Sequence, residues 1–534
     1  MLKGILSVGG FTLLSRATGF VRDVVLAAVL GAGPLNDAFL VALRLPNHFR
    51  AIFAEGAFNA AFVPAYARAR EEDGEAEARA FAGRILTLLV LATGVLTAVA
   101  MVFTPQAIDL LAPGFANDPV RFDLAVALTR ITFPYLVFVS VVTLLGGMLN
   151  AHKRFAAAAG APILLNVAIV LALAWVAIVP GAAQGGTGAS LAPAYAAAWG
   201  VFVAGIAELA LLMADARRSG ILPPFRRPRF GGAVARFFKA LGPATVGSMG
   251  TQIALFADTI IASLLPAGAL SALYFADRLQ QLPIGVIGIA AGTVLLPEMS
   301  RRLAAGDEAG AKAAQNRVIL ITLLLALPCL AVFLTIPDLV MQALFARGAF
   351  TSADAVAAGQ TLAAYAIGLL PFVVLRAFVA PFHARRDTTT PMVAAFAGVG
   401  VNVALKVALM APLAQVGLAL GTAAGAWINV GLLAVLAARR GYLAFDRAMV
   451  ATIAKLGAAT AALALVLVLA EGPVRAATTA LPLREETALA VLGVLGVVVY
   501  VGMVVGLLGR GRLRSLLGAA AVVSRKGDGG TGPA

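Results

Sequence analysis

Apolar runs of about 20 residues alternate with short polar loops along nearly the whole chain of 534 residues. A helix needs ~20 apolar residues to cross ~30 Å of hydrocarbon, so each run predicts a transmembrane helix. We count fourteen such spans and number them in chain order. They are residues 5–30, 36–64, 83–104, 126–149, 160–180, 190–213, 240–264, 271–296, 317–337, 355–380, 391–411, 415–437, 448–470 and 487–509.

The composition agrees with this pattern. Hydrophobic residues make up 61% of the chain, and charged residues only 13%, about half the roughly 25% of an ordinary soluble domain. Mean hydropathy is +0.94. These values exclude a soluble globular protein, a disordered chain and a coiled coil. We therefore predict an all-α polytopic membrane protein.

The 41 Lys and Arg residues predict the orientation. With a cytoplasmic N-terminus, most of them fall in inner segments, as the positive-inside rule requires, and both termini are cytoplasmic. Basic residues confined to short loops also argue against nucleic acid as a partner. The first apolar run carries two arginines, which a cleaved signal peptide should not. Only four basic residues fall in outer loops: Arg121, Arg347, Arg475 and Arg484.

The chain matches itself at an offset near 235 residues, for example at Asn166-Val167 and Asn402-Val403. A repeat of six helices preserves orientation, so the halves are parallel repeats related by a pseudo-twofold axis along the membrane normal. We expect an N-terminal lobe, a C-terminal lobe, two added helices and a cytoplasmic tail whose Gly-rich end is disordered. Their ranges are 1–215, 216–440, 441–510 and 511–534.

Several arginines lie deep in spans 1, 2 and 8. From the ~1.5 Å rise per residue, Arg22 and Arg44 lie roughly 12 Å below the outer surface and Arg16 and Arg50 about 21 Å below it. Arg278 lies roughly 10 Å down on the matching helix of the second lobe. A central arginine costs at least ~2.5–3.5 kcal/mol, so such residues usually face water or a partner.

Two interpretations of these charges stay open. The arginines either form ion pairs that hold helices together or line a cationic cavity. They outnumber the acids of the same spans by one, and guanidinium groups suit bidentate binding of phosphate oxygens. An anionic substrate fits this excess better than a cationic drug. The acids are Asp23, Asp37, Glu55 and Asp277.

Unlike charges also occur in the second lobe. Asp258 on span 7 and Lys406 on span 11 are predicted to form a buried pair. The alternative is a monovalent-cation site at Asp258, Asn402 and Thr422, although Lys406 would repel the ion. The single Cys329 and three scattered histidines argue against a metal site. No phosphate-loop motif implies ATP, and no cofactor is expected.

Long motifs in spans 1, 2 and 8 resemble the MurJ (MviN) lipid II flippases of the multidrug/oligosaccharidyl-lipid/polysaccharide exporter superfamily. The resemblance extends to about residue 510. The motifs are SRATGFVRD at 15–23, GAG at 31–33, DAF at 37–39, LPNHFR at 45–50, AEGAF at 54–58, AFVP at 61–64, APGF at 112–115, TFP at 132–134, YFADRL at 274–279, PIG at 283–285 and GTVLLP at 292–297.

The resemblance implies fourteen helices in two lobes, in a bacterial inner-membrane transporter of peptidoglycan biosynthesis. Its substrate would be lipid II, the undecaprenyl-pyrophosphate disaccharide-pentapeptide, moved to the periplasmic leaflet by alternating access. Spans 13 and 14 would hold the lipid tail. The substrate site carried over comprises Arg16, Arg22, Asp37, Arg50 and Arg278. Asp37 would orient arginines near the outer end, while Asp23, Glu55 and Asp277 are gate candidates.

The chain departs from the family pattern at His48, interpreted as a packing residue, and at Lys406. Expected partners are lipid II and membrane lipids, with other cell-wall synthesis proteins left open. Two energy sources also stay open: the membrane potential and a monovalent cation. The rival functions are a polysaccharide-lipid flippase, a cation-coupled drug antiporter and, more remotely, an intramembrane lipid-linked glycosyltransferase. The largest loop, about 214–239, is basic and lacks the acid cluster that such an enzyme needs.

Overall fold

The computed structural model describes residues 2–53, 57–178, 190–229 and 231–516. Two sequence predictions fall outside these ranges: the gate candidate Glu55 and the Gly-rich end of the tail. Every regular element in the described ranges is helical, so the predicted all-α class is confirmed.

Most of the helices in the described ranges follow one another through short connections. A 3₁₀ turn, Pro113–Asn117, follows α5, and a π-helical turn, Ile284–Gly288, follows α11. The helices are α1 (Leu2–Leu30), α2 (Pro34–Phe53), α3 (Ala57–Glu72), α4 (Gly74–Val102), α5 (Thr104–Leu111), α6 (Pro119–Thr132), α7 (Tyr135–Ala151), α8 (Ala156–Ile178), α9 (Ala192–Arg218), α10 (Gly232–Ser263), α11 (Ala269–Pro283), α12 (Ile289–Ala304), α13 (Glu308–Thr335), α14 (Pro337–Phe345), α15 (Ser352–Ile367), α16 (Leu369–His383), α17 (Thr389–Arg439), α18 (Arg447–Thr478) and α19 (Arg484–Leu508).

Nine helical segments in the described part of the chain are long and apolar enough to cross a membrane. They are α4, the pair α6–α7, α8, α9, α13, the pair α15–α16, α17, α18 and α19. These segments overlap predicted spans 3–6 and 9–14. The chain is thus a membrane protein with many helical spans, and the count of fourteen stays a prediction.

The outward faces of these helices are apolar. On α4, Leu91, Val95 and Val99 recur every four residues and are 59%, 56% and 48% exposed. Residues four apart lie on the same side of a helix. Such a stripe would be unfavourable in water, and it is what a helix that faces lipid presents.

Predicted spans 1, 2, 7 and 8 lie on helices that carry several of the intramembrane charges. These are α1, α2 with α3, α10, and α11 with α12. Three charged residues, Asp37, Arg44 and Arg50, fall within the 20 residues of α2. The π-helical turn follows Pro283, in keeping with a proline that removes a helical hydrogen bond. Polar and irregular helices at membrane depth are tolerated where protein or a water-filled cavity surrounds them.

The chain divides into two compact units. The first comprises residues 1–271 with 347–351, and the second comprises 272–346 with 352–534. In the first, Phe62 stacks on Tyr66 and Phe81 within an aromatic core. In the second, the core packs around α12, α13, α16 and α17. The predicted lobes divide the chain differently and stay a prediction.

Helix α17 contains a sharp reversal. Ala414 has φ 45° and ψ −127°, a backbone conformation that L side chains rarely adopt. The two halves pack closely on either side of it: a Cβ at Gly417 would approach the Leu409 carbonyl, and one at Gly425 would approach that of Gly398. The halves match predicted spans 11 and 12, 391–411 and 415–437. The turn stores strain, since such residues cost about 1–3 kcal/mol each.

Replacing Ala414 with glycine should therefore stabilise the protein. Glycine adopts positive φ without the Cβ clash, and its greater unfolded-state entropy offsets only part of that gain. The expected net effect is about 1 kcal/mol. Thermal unfolding in detergent measures it as a raised Tm. The control Ala408→Gly lies in the helical part of α17 and should lower Tm by a similar amount. A lower Tm for Ala414→Gly would contradict the presence of backbone strain at this residue.

Candidate substrate site

Arg22 on α1 is bound to its neighbour and to α8. Its Nη2 donates to Asp23 Oδ1 at 2.7 Å, and its Nη1 donates to Asn166 Oδ1 at 3.0 Å. The Asn166 amide in turn donates to the Ser15 carbonyl and to Thr18 Oγ1, both at 3.1 Å. Arg22 and Asp23 thus form an ion pair that also joins α1 to α8. The sequence marked Asn166 only through the internal repeat.

Arg16 lies nearer the middle of α1 and faces open space. With Ser15 and Thr12 it lines a cavity of about 480 Å³ that is closed on the other side by α7 and α8. Asn150, at the end of α7, and Phe155 complete the polar and aromatic parts of its lining. A guanidinium that lines such a cavity is suited to bind the oxygens of an anionic group. Of the two interpretations, the cationic cavity therefore fits Arg16 and the ion pair fits Arg22.

Arg50 on α2 has an acidic neighbour, Glu208, which is not one of the site residues predicted from the sequence. Glu208 on α9 is 2% exposed, and its Oε2 accepts a hydrogen bond from the Tyr135 hydroxyl at 3.1 Å. Arg50 is close enough for its charge to act on this carboxylate. A charge buried in a membrane protein needs such compensation. Glu208 and Tyr135 thus belong to the surroundings of Arg50.

Two further side chains of α2 contact α10 within the first unit. Arg44 Nη1 donates to Thr259 Oγ1 at 3.0 Å. The ring of His48 stacks on Phe256, with 4.2 Å between centroids, and its Nδ1 lies 3.1 Å from Gln252 Oε1. His48 is 6% exposed. These contacts support its interpretation as a packing residue.

Asp37 of α2 contacts the start of α11 and is fully buried. Its Oδ2 accepts from the Gly268 backbone N–H at 2.8 Å. Its Oδ1 accepts from the Ser271 N–H at 2.9 Å and from the Ser271 hydroxyl at 2.6 Å. A carboxylate at the first turn of a helix satisfies N–H groups that have no intrahelical partner and interacts favourably with the helix dipole. Asp37 therefore caps α11.

The arginine beside Asp37 comes from the first turn of α6 and not from one of the predicted deep spans. Arg121 Nη1 lies 3.7 Å from Asp37 Oδ2, and its side chain is 5% exposed. It also donates to the Ser263 carbonyl at 3.2 Å and lies 3.9 Å above the Phe115 ring. The sequence gives no sign of this partnership, because Asp37 lies 84 positions away from Arg121 in the chain.

Three loops meet next to this pair. The Ala349 N–H donates to the Ala28 carbonyl at 2.7 Å. Gly348 has φ 59°, and a Cβ there would lie 2.2 Å from the same carbonyl. Gly268 has φ 90°, and its Cβ would lie 2.7 Å from the Ala32 carbonyl. Only glycine fits such close approaches at positive φ. We call residues 28–37, 263–271 and 347–349, together with Arg121, the loop latch.

Two further candidates, Asp277 and Arg278, lie on α11 in the second unit. Arg278, on α11 in the second unit, places its guanidinium 4.7 Å from the centre of the Tyr274 ring, a favourable cation–π distance. Its neighbour Asp277 accepts a hydrogen bond from the Gln281 amide. That Arg16, Arg50 and Arg278 share one cavity stays a prediction.

The second-lobe polar residues lie on the two halves of α17, apart from Asp258, which is half-buried on α10 in the first unit. Lys406 is 3% exposed, and its stem packs against Gly421. The Thr422 hydroxyl donates to the Leu418 carbonyl at 3.1 Å. The Asn402 Oδ1 is buried without a hydrogen-bond partner among the described residues. The ion pair and the cation site both stay predictions, and a buried ammonium beside Asn402 opposes a second cation.

The family model described as lipid II flippase MurJ matches residues 26–481. A probable lipid II flippase MurJ of Rhizobium meliloti is 41% identical over 473 residues, 88% of this chain and 86% of the relative. The lipid II flippase MurJ of Burkholderia cenocepacia is 36% identical over 448 residues, 83% and 84% of the two chains.

Two solved structures show the same fold. A lipid II flippase MurJ in an inward closed conformation matches with a TM-score of 0.74 at 22% identity, over 94% of this chain and 98% of that one. An inward-facing MATE family multidrug transporter of the MOP superfamily matches with a TM-score of 0.61 at 13% identity, over 82% and 97%. The predicted all-helical transporter fold is confirmed.

Removing the charge of Asp37 should loosen the loop latch. In Asp37→Asn an amide N–H₂ replaces one acceptor oxygen, and Arg121 loses its counter-charge. Hydrogen bonds to charged groups contribute ~1.5–3 kcal/mol, so the expected loss is of that order. In a Cys329→Ala background, a cysteine at Ala349 should react several-fold faster with a membrane-impermeant maleimide. The exposed Asp123→Asn is the matched control and should leave the rate unchanged. Equal rates for both variants would remove Asp37 from the latch.

Proposed function

Because the chain belongs to the MurJ lipid II flippase family, we propose that it moves lipid II from the cytoplasmic to the periplasmic leaflet of the bacterial inner membrane by alternating access. The family is one of transporters, so the chain is a transporter and not an enzyme. In this proposal both termini are cytoplasmic, as the distribution of basic residues predicts. Membrane lipids surround it, and other cell-wall synthesis proteins are candidate partners.

The observation that carries the proposal is the cavity of Arg16. Arg16 combines a deep position on α1 with an open, partly polar cavity of about 480 Å³. A pyrophosphate offers several anionic oxygens that a planar guanidinium binds in pairs. Arg50, Arg22 and Arg278 supply further positive charge in the proposed site, while Asp23 and Glu208 hold the arginines in place. An uncharged or cationic substrate would gain little from this arrangement.

In this proposal the loop latch closes the outer side of the protein, as alternating access requires of one side at a time. In the proposed cycle, the latch is shut while the head group enters from the cytoplasm, and its contacts break when the site opens outward. In this cycle Asp37 does not contact the substrate. It stabilises the loop latch through its hydrogen bonds to the start of α11, and it affects transport in that way. Asp277 stays a gate candidate.

The lipid tail remains in the bilayer during this cycle. Helices α18 and α19 present apolar side chains to it, with Leu465, Val468, Val494 and Val497 between 56% and 67% exposed. This surface can accommodate a polyprenyl chain without a polar cost. The residues between them pack against each other, which keeps the two helices together as a pair.

The proposal includes no cofactor. The energy for the cycle would come from the membrane potential, worth ~2.3 kcal/mol per charge per 100 mV, or from a gradient of a monovalent cation. Transport in vesicles with an imposed potential, with and without sodium, distinguishes the two. Strict sodium dependence would favour the cation site at Asp258, Asn402 and Thr422 over the Asp258–Lys406 pair.

Removing an arginine of the proposed site should stop transport without unfolding the protein. Arg16→Ala and Arg50→Ala each remove charge-assisted hydrogen bonds of ~1.5–3 kcal/mol, so we expect at least a tenfold loss. Arg278→Ala tests the third member of the proposed site. The measurement is lipid II accessibility from outside in a flippase-depleted bacterium that expresses each variant.

Two controls accompany this experiment. Arg16→Lys keeps the charge but loses the planar geometry, and should retain partial activity. Arg68→Ala removes an exposed arginine of α3 and should behave like the unmodified protein. Membrane levels of every variant are measured in parallel. Full activity of Arg16→Ala and Arg50→Ala would exclude these residues from the site.

A further inference from the structure

The connection between α9 and α10 is an extended basic segment. Residues 219–229 form no helix, since three prolines at 223, 224 and 228 interrupt any helical run. Arg226, Arg227 and Arg229 are all exposed, and so is Phe225, at 72%. We call residues 219–229 the basic strap. Nothing in the proposed transport cycle uses it.

The basic strap is attached firmly to the start of α4. Arg79 Nη1 donates to the Gly220 carbonyl at 2.9 Å, and Ile221 is 5% exposed in the core of the first unit. The Pro224 carbonyl lies so close to Gly83 that a Cβ there would be 2.0 Å away. The Arg226 N–H donates to Thr87 Oγ1 at 3.3 Å. These contacts hold the strap in one place along α4.

That place is the end of the lipid-facing stripe of α4. Gly83 and Thr87, which contact the strap, continue at four-residue intervals into Leu91, Val95 and Val99, the residues that face lipid. Predicted span 3 begins at residue 83, so the strap lies where hydrocarbon meets head groups. Phe225 is placed at this boundary beside three guanidinium groups.

We propose that the basic strap binds the head groups of anionic phospholipids in the leaflet next to the N-terminal end of α4, with Phe225 at the edge of the hydrocarbon. Basic residues near an anionic membrane surface contribute ~1 kcal/mol each, and an aromatic ring beside them adds apolar area. The first turns of α10 extend the surface with Arg236, Phe238 and Lys239, all exposed.

The position of the strap argues for lipid as its occupant. An acidic protein segment would match the arginines but would also have to enter the bilayer boundary to cover Phe225. A phospholipid matches both features at once, since its phosphate and its acyl chains meet at this depth. The strap therefore fits a lipid surface by charge and by position. The proposal is independent of lipid II transport.

A spin label tests the position first. The full chain carries Cys329→Ala and Phe225→Cys, is labelled with a nitroxide and is placed in nanodiscs of phosphatidylcholine with phosphatidylglycerol. We expect the label at 225 to be more accessible to oxygen than to a water-soluble nickel complex. A label at Arg218→Cys, on the exposed last turn of α9, is the control and should show the opposite preference. Water-like accessibility at 225 would overturn the proposal.

The charge is tested with the same label. The phosphatidylglycerol fraction is varied, and the half-saturation of the label signal is measured at low salt. We expect the phosphatidylglycerol fraction at half-saturation to rise when three arginines are neutralised together, in Arg226→Gln, Arg227→Gln and Arg229→Gln. The rise should be at least about fivefold in total and at most roughly fivefold for each arginine. The three Arg→Lys changes keep the charge and should leave it within about twofold. A Gln variant that responds like the unmodified strap would contradict anionic lipid as the occupant.

Discussion

A charged side chain inside hydrocarbon has to find either a partner or water, and this constraint organises the structure. Helices that carry such charges include α1, α2, α9, α10, α11 and α17. Their charged groups reach partners through hydrogen bonds, as Arg22 does with Asp23 and Asn166, or face a cavity, as Arg16 does. The apolar helices, such as α4 and α18, present their side chains to lipid.

The same constraint explains why Asp37 and Arg16 have different roles although both lie in charged helices. Every oxygen of Asp37 accepts hydrogen bonds from α11 or its N-terminal loop, and Arg121 compensates its charge. All of these groups are paired with one another, so Asp37 has a structural role in the loop latch. Arg16 lines an open cavity and can bind an anionic ligand that enters it. Alternating access requires both a site that binds the substrate and a loop latch whose contacts can break.

Hydropathy predicted most of the spans, because a bilayer demands long apolar helices whatever their partners. The helical rise alone also placed Arg16 and Arg50 at depth. The role of Asp37 could not be predicted, since it depends on residues 268–271, more than 230 positions away. The contact of Arg121 with Asp37 could not be predicted for the same reason, since 84 positions separate the two residues. Asn166 and Glu208 are single polar residues in apolar helices, and only tertiary packing shows that they accompany Arg22 and Arg50.

Guanidinium groups at membrane depth hold a pyrophosphate head in the proposed function. Native mass spectrometry in one detergent can compare the binding of undecaprenyl pyrophosphate and of undecaprenol to the purified full chain. The two lipids share a tail and differ in the charged group. We expect the pyrophosphate to bind at least about tenfold more tightly, in line with one or more charge-assisted hydrogen bonds, and added salt to reduce the difference. Equal affinity for the two lipids would contradict the claim.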